Sequence, residues 1–208
     1  MRIDSISAQP DRAGRYRVTF AEGTVLRLYR QTVQDFGLYT GLELTEKQFA
    51  ELETAAGAMS AKMRAVRIVS ASNISKGDLE QRLIRKGEDP RQAKQAVAWM
   101  ADMDLLDDEK TARQIVESCI RKGYGIARAK QSLYEKRIPK EYWDSALEDY
   151  PDQSEHIMAF LRTRLNTHWD ERDLRRAIDG LIRRGHSYGQ IRRVLQNMQL
   201  DTELMEEE

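Results

Sequence analysis

Two hydrophobic periods divide the chain. Tyr16, Val18 and Phe20 alternate with Arg15, Arg17 and Thr19, the two-residue period of a half-buried strand. Ala21-Glu22-Gly23 then reads as a hairpin turn, with Gly23 free to take positive φ. A second strand from Thr24 to Arg30 puts Leu26 and Leu28 on one side and Val25 and Tyr29 on the other. The first eight residues fit no single period, so the expected antiparallel sheet has two or three strands. A sheet that small is marginal alone and needs a helix to pack on.

Beyond Leu44 the period becomes helical almost throughout. Thr45-Glu46-Lys47-Gln48 has the form of a capping box. Phe49, Leu52, Ala56, Met59, Met63 and Val66 follow at spacings of three and four, an apolar stripe on one helix face. Gly57 inside that stripe costs up to about 1 kcal/mol of helix propensity.

The helical part repeats. Leu83-Ile-Arg-Lys-Gly87, Leu133-Tyr-Glu-Lys-Arg137 and Leu181-Ile-Arg-Arg-Gly185 share one pattern, with the register kept around them. Leu79, Ala129 and Ala177 precede the three leucines at one offset. Ala93, Trp143 and Ile191 follow at another, as do Ala96, Ala146 and Val194, and then Val97, Leu147 and Leu195. Gly87 and Gly185 suit the left-handed residue that closes a helix, whereas Arg137 at that place implies a different closure. The next helix starts at once. Asp89-Pro90 supplies an N-cap and a first-turn proline, Pro139 stands at the same point, and Ser187 with Gln190 forms a capping box. With preceding helices expected at 45–69, 109–121 and about 154–166, the unit is a three-helix repeat of roughly 50 residues that must stack to bury its apolar face.

The expected fold is therefore mainly α: three tandem three-helix repeats in an extended curved array, preceded by a small N-terminal antiparallel β element. The boundaries are 1–44 for the β region and its connection, then 45–105, 106–150 and 151–200 for the repeats. Residues 201–208 read as an acidic disordered tail.

Charge and composition narrow the function. Charged residues make up 33% of the chain and balance at 34 basic against 34 acidic. The balance is uneven along it: nine arginines face four acids between His156 and Leu200, and five acids with no base follow. A basic face of this kind points to an anionic partner. No apolar run approaches the roughly 20 residues of a membrane span, and the N-terminus has no signal-peptide stretch, so a cytoplasmic protein is expected. Enzymatic signatures are missing from the sequence. His156, His168 and His186 stand singly, and neither a zinc pattern nor a P-loop occurs. The aspartates 102, 104, 107 and 108 lack the glycine and closing Glu of a Ca²⁺ loop, and Asp107 or Asp108 serves better as an N-cap. Cys119 falls on an apolar face with Ile115 and Val116, and Trp99, Trp143 and Trp169 read as packing residues. No cofactor, metal or small-molecule substrate is expected.

The ordered succession of Ser75-Lys-Gly-Asp-Leu-Glu-Gln-Arg-Leu-Ile-Arg-Lys-Gly87, Leu105-Leu-Asp-Asp108, Arg121-Lys-Gly-Tyr-Gly125 and Leu133-Tyr-Glu-Lys-Arg-Ile-Pro139 resembles the RecX family of recombination regulators over roughly residues 60–200. The strand region with Gly41-Leu42 resembles an extension found in some members. The resemblance implies three tandem three-helix units and binding along the groove of RecA–single-stranded-DNA filaments. It also implies inhibition of RecA ATP hydrolysis, strand exchange and co-protease activity in DNA repair and the SOS response, with no catalytic activity. A monomer is expected.

Candidate contacts to RecA or DNA are the basic residues recurring at the repeat's helix ends and beside them. They are Arg82, Arg85 and Lys86 in the first unit, and Arg121, Lys122, Arg128, Lys130, Lys136 and Arg137 in the second. The third adds Arg162, Arg164, Arg175, Arg176, Arg183, Arg184, Arg192 and Arg193. In phase on stacked units they form a stripe suited to phosphate; singly, each also complements a helix dipole without any partner. Tyr124, between Gly123 and Gly125, could stack on a base, although a two-glycine helix break carrying a surface tyrosine accounts for it as well. A non-specific nucleic-acid binder and a helical-repeat scaffold for another protein are the competing functions.

Overall fold

The computed structural model describes residues 1–165 and 169–206. The chain forms two compact units, Met1–Leu106 and Asp107–Glu208.

In the first unit three strands pair antiparallel in the order β1 (Ile3–Ile6), β2 (Arg15–Phe20), β3 (Val25–Tyr29). Tyr16 pairs with Leu28 and Val18 with Leu26, the register the alternation requires. A short helix α1 (Arg30–Asp35) leads to the long α2 (Glu46–Ala71), whose N-terminus carries the expected capping box of Thr45 and Gln48. Ile3, Val18, Phe20 and Leu28 are buried with Leu52 of α2, and Phe20 meets Phe49 edge to face at 5.1 Å between centroids. The sheet thus finds its helix.

The C-terminal half of α2 turns to a second core. There Ala61 and Ala65 are fully buried beside Leu79 and Leu83 of α3 (Lys76–Arg85) and Ala93, Ala96 and Met100 of α4 (Pro90–Asp102). Met63, placed on the apolar stripe by its spacing, is instead 36% exposed. The stripe bends because α2 serves two cores in succession, and small alanines let α4 come close. At Gly57 the flexible amide end of Gln92 lies over the helix, where a Cβ would push it aside.

The second unit begins with α5 (Asp108–Arg121), capped by Asp107, then α6 (Ile126–Glu135). A single 3₁₀ turn, Lys140–Tyr142, and the short α7 (Trp143–Leu147) close the middle repeat. Cys119 is buried there with Val116, Ala129 and Leu133. Next come α8 (Ser154–Arg164), α9 (Glu171–Arg183) and α10 (Tyr188–Glu206). Their core contains Ile157, Leu161, Ala177, Leu181, Ile191 and Val194.

The three leucines heading the repeated segments occupy one structural role. Leu83, Leu133 and Leu181 are each at most 1% exposed. Their carbonyls accept from the N–H of Glu88, Ile138 and His186 at 3.1, 3.0 and 3.2 Å, the long bond of a Schellman closure. Arg137 corrects the expectation of a different ending. It takes φ +54 where Gly87 and Gly185 take +88, because Ile138 is buried and its bond to Leu133 holds the turn.

Two further expectations change. Trp169 is 44% exposed and does not pack in a core, lying before the Asp170 cap of α9. The anticipated disordered tail from 201 is helical as far as Glu206, and residues 207 and 208 lie outside the described residues. No glycine or proline follows Gly189 to stop α10.

Candidate nucleic-acid interface

The seam between the second and third repeats is built from glycine. The loop after α5 lies directly on the loop after α9. Gly125 N–H donates to the Arg184 carbonyl at 2.9 Å. A Cβ on Gly125 would fall 2.0 Å from the Gly185 carbonyl oxygen, and one on Gly185 would fall 2.3 Å from the Arg128 nitrogen. These glycines are required by the close approach of two backbones. Gly123 takes φ +62 and ends α5, as a helix break should.

His186 sits inside this seam, 3% exposed, with Nε2 3.1 Å from the Gly123 carbonyl. The carbonyl accepts, so Nε2 carries the proton of the neutral ring. Burial pulls the His186 pKa below its usual 6.5, with the charges of Arg184 and His156 pushing the same way and the Gly123 bond opposing. On the other side the Tyr150 hydroxyl donates to the Tyr124 carbonyl at 2.7 Å, and burial raises its pKa to about 12. The 123–125 loop is therefore fixed from both flanks.

Beside the seam opens a groove of ≈ 740 Å³, lined by Tyr124 and Arg128 of the second repeat and by Phe160, Arg164, Asp173, Arg176, Arg183 and Arg184 of the third, with Ala177 and Gly180 as its floor. Five guanidinium groups face one carboxylate. On α9 the spacing 176, 180, 183, 184 keeps one helix face turned to the groove. Phe160 orders part of the array: Arg164 and Arg184 lie 5.4 and 4.7 Å from its ring centroid, within cation–π range. Gly180 leaves room for that ring, since a Cβ would meet Phe160 at 3.0 Å. Arg128 pairs with Glu135 at 3.2 Å and Arg176 with Asp173 at 3.6 Å. Arg183 is exposed and has no ion pair among the described residues.

Six of the residues expected from the sequence thus converge: Tyr124, Arg128, Arg164, Arg176, Arg183 and Arg184. The convergence does not follow the repeat phase. Arg183 and Arg184 come from the end of α9, but Tyr124 comes from the loop after α5 and Arg128 from the first turn of α6. Lys136 and Arg137, the helix-end pair of the second repeat, line no part of this groove. Arg121, Lys122, Lys130, Arg162, Arg175, Arg192 and Arg193 are exposed elsewhere on the unit, with Arg175 2.6 Å from Glu171. In the first unit Arg82 and Lys86 line a separate groove, and Arg85 lies 3.9 Å from Asp78. Phe160 and Gly180 carry no motif of their own; the bracketing of Gly180 by Arg176 and Arg183 is the trace they leave in the sequence.

Among the described residues no group of three or more His, Cys, Asp or Glu could hold a metal ion, and no helix is long and apolar enough to cross a membrane. Fold and site together define a helical-repeat protein with a cationic groove between two of its helical units. A family model described as "RecX, second three-helix domain" matches residues 107–147. Regulatory protein RecX of Vibrio campbellii is 26% identical over 136 residues, covering 64% of this chain and 88% of the relative. That of Listeria welshimeri is 24% identical over 156 residues, covering 74% of this chain and 58% of the relative, so the chain spans little more than half of that longer protein. A crystal structure of a regulatory protein RecX superposes with a TM-score of 0.62 at 23% identity, covering 94% of this chain and 98% of the other. Over these spans the chain is similar to proteins named regulatory protein RecX, and it shares their fold.

Proposed function

We propose that this protein is a non-enzymatic cytoplasmic regulator that binds RecA–single-stranded-DNA filaments and inhibits RecA ATP hydrolysis, strand exchange and co-protease activity. The observation that carries the reading is the groove between the second and third repeats, with five arginines against one carboxylate. A nucleoprotein filament exposes DNA phosphates and acidic protein surface, and pre-ordered guanidinium groups suit both. Similarity to relatives named regulatory protein RecX supports it. Attraction of this kind steers association and weakens with salt. The test is ATP hydrolysis by RecA on single-stranded DNA with this protein added. A fall in rate at stoichiometric amounts is expected, and an unchanged rate removes the proposal.

A further inference from the structure

At the end of α6 lies a pocket that forms no part of the arginine groove. It has a volume of ≈ 430 Å³ and is lined by Tyr134, Ile138 and Trp143 together with Glu135, Arg137 and Lys140, all from the middle repeat. The Trp143 indole N–H donates to the Ile138 carbonyl at 3.0 Å, which fixes the ring in the wall. Tyr134 is 67% exposed.

Three of these side chains depart from the repeat. Tyr134, Arg137 and Trp143 stand where the first repeat has Ile84, Gly87 and Ala93 and the third has Ile182, Gly185 and Ile191. Ala93 and Ile191 are fully buried, whereas Trp143 is half-buried and lines the pocket. Arg137 holds a left-handed backbone that both counterparts leave to glycine. A side chain kept in that conformation costs stability, and such residues gather where function needs them. The repeat folds without any of the three, so their common place at one pocket calls for another cause.

Charge selects the occupant. The Glu135 carboxylate is engaged, accepting from Arg128 and from the Gln131 amide, both at 3.2 Å. Arg137 and Lys140 make no ion pair among the described residues. Two open cations beside an aromatic wall suit a carboxylate next to an apolar side chain.

We propose that this pocket docks a protein segment that presents an aliphatic or aromatic side chain beside a carboxylate. Resting on the function proposed above, that segment belongs to RecA. Trp, Tyr and Arg are the side chains that most often anchor protein interfaces, and a wall already fixed loses little freedom on docking. Nucleic acid suits the pocket less well. Glu135 repels phosphate, and the one N–H of Trp143 is used within the chain, so none is left for a base edge. Arg128 also lines the arginine groove, so its pair with Glu135 makes the two surfaces adjoin.

The test is biolayer interferometry of the full-length chain against RecA free of DNA and nucleotide. Tyr134→Ala should weaken binding about tenfold with an unchanged circular-dichroism melt, since the ring is exposed. Arg137→Gly should weaken it as well while the melt does not fall, which separates the contact from the fold. Labelled oligo-dT is the second probe, and its affinity should not respond to either change. Three results overturn the proposal: no binding of the parent to DNA-free RecA, both variants binding as the parent does, or a loss for oligo-dT as large as for RecA. RecA ATP hydrolysis on single-stranded DNA separates the two failures. A parent that inhibits it leaves the filament reading standing when the pocket fails, and a parent that neither binds nor inhibits removes both.

Discussion

His186 of the third repeat and Gly123 of the second are joined through a buried hydrogen bond, Nε2 to carbonyl oxygen at 3.1 Å. The other ring nitrogen, Nδ1, is buried with no hydrogen-bond partner among the described residues. The bond fixes the neutral tautomer in the middle of the seam, and the arginine groove opens beside it. Protonation would put a cation among Arg184 and His156 with its new N–H unsatisfied.

That arrangement makes stability pH-dependent with a definite sign. The folded-state pKa of His186 lies below the unfolded 6.5, so the unfolded chain takes up the proton first. The contribution is intact above pH 6.5 and is lost as pH falls below it toward the folded value. Urea melts at pH 7.5 and 5.5 should show a lower midpoint at 5.5. His186→Gln should shrink that difference, and an equal difference in both proteins would contradict the assignment.

Two glycines share φ +88 but not surroundings. A Cβ on Gly87 meets nothing within 4 Å, whereas on Gly185 it strikes the Arg128 backbone. Gly87→Ala should cost about 1 kcal/mol, for the left-handed backbone alone. Gly185→Ala should cost about 3 kcal/mol, because backbone cannot yield. Chemical denaturation of both variants distinguishes them.

Arg137 holds the corresponding left-handed place with a side chain, at φ +54. Arg137→Gly should therefore stabilise the chain by roughly 0.5–1 kcal/mol after the unfolded-state entropy is counted. A thermal melt that moves down instead would show the side chain to be doing something more.

Leu133 is fully buried in the middle repeat. Leu133→Asp should unfold that repeat by burying a charge without a partner. Loss of helical circular dichroism at 25 °C, or a melt well below the parent's, is the expected result.

Arg183→Glu with Arg184→Glu should weaken inhibition of RecA ATP hydrolysis. Arg183 is free at the groove, so folding should survive it; Arg184 lies on Phe160, so a small loss of stability is expected with it. Inhibition as strong as the parent's would detach the groove from the function.

Local rules carried much of the outcome. The alternation at 15–20, the capping box at Thr45, the Asp89-Pro90 start and the recurring Leu-x-x-x-Gly closure are short-range features, settled by backbone geometry within a few residues. They were enough to read strands, helices and a threefold repeat. What lay beyond them needed contacts distant in sequence. Arg137 takes a glycine's conformation because Ile138 is buried. Met63 leaves the apolar stripe because α2 serves two cores. Tyr124 and Arg128 join Arg183 and Arg184 only because Gly125 and Gly185 let two loops touch. A basic residue looks alike on any exposed helix; the packing of backbone against backbone decides which of them face one another.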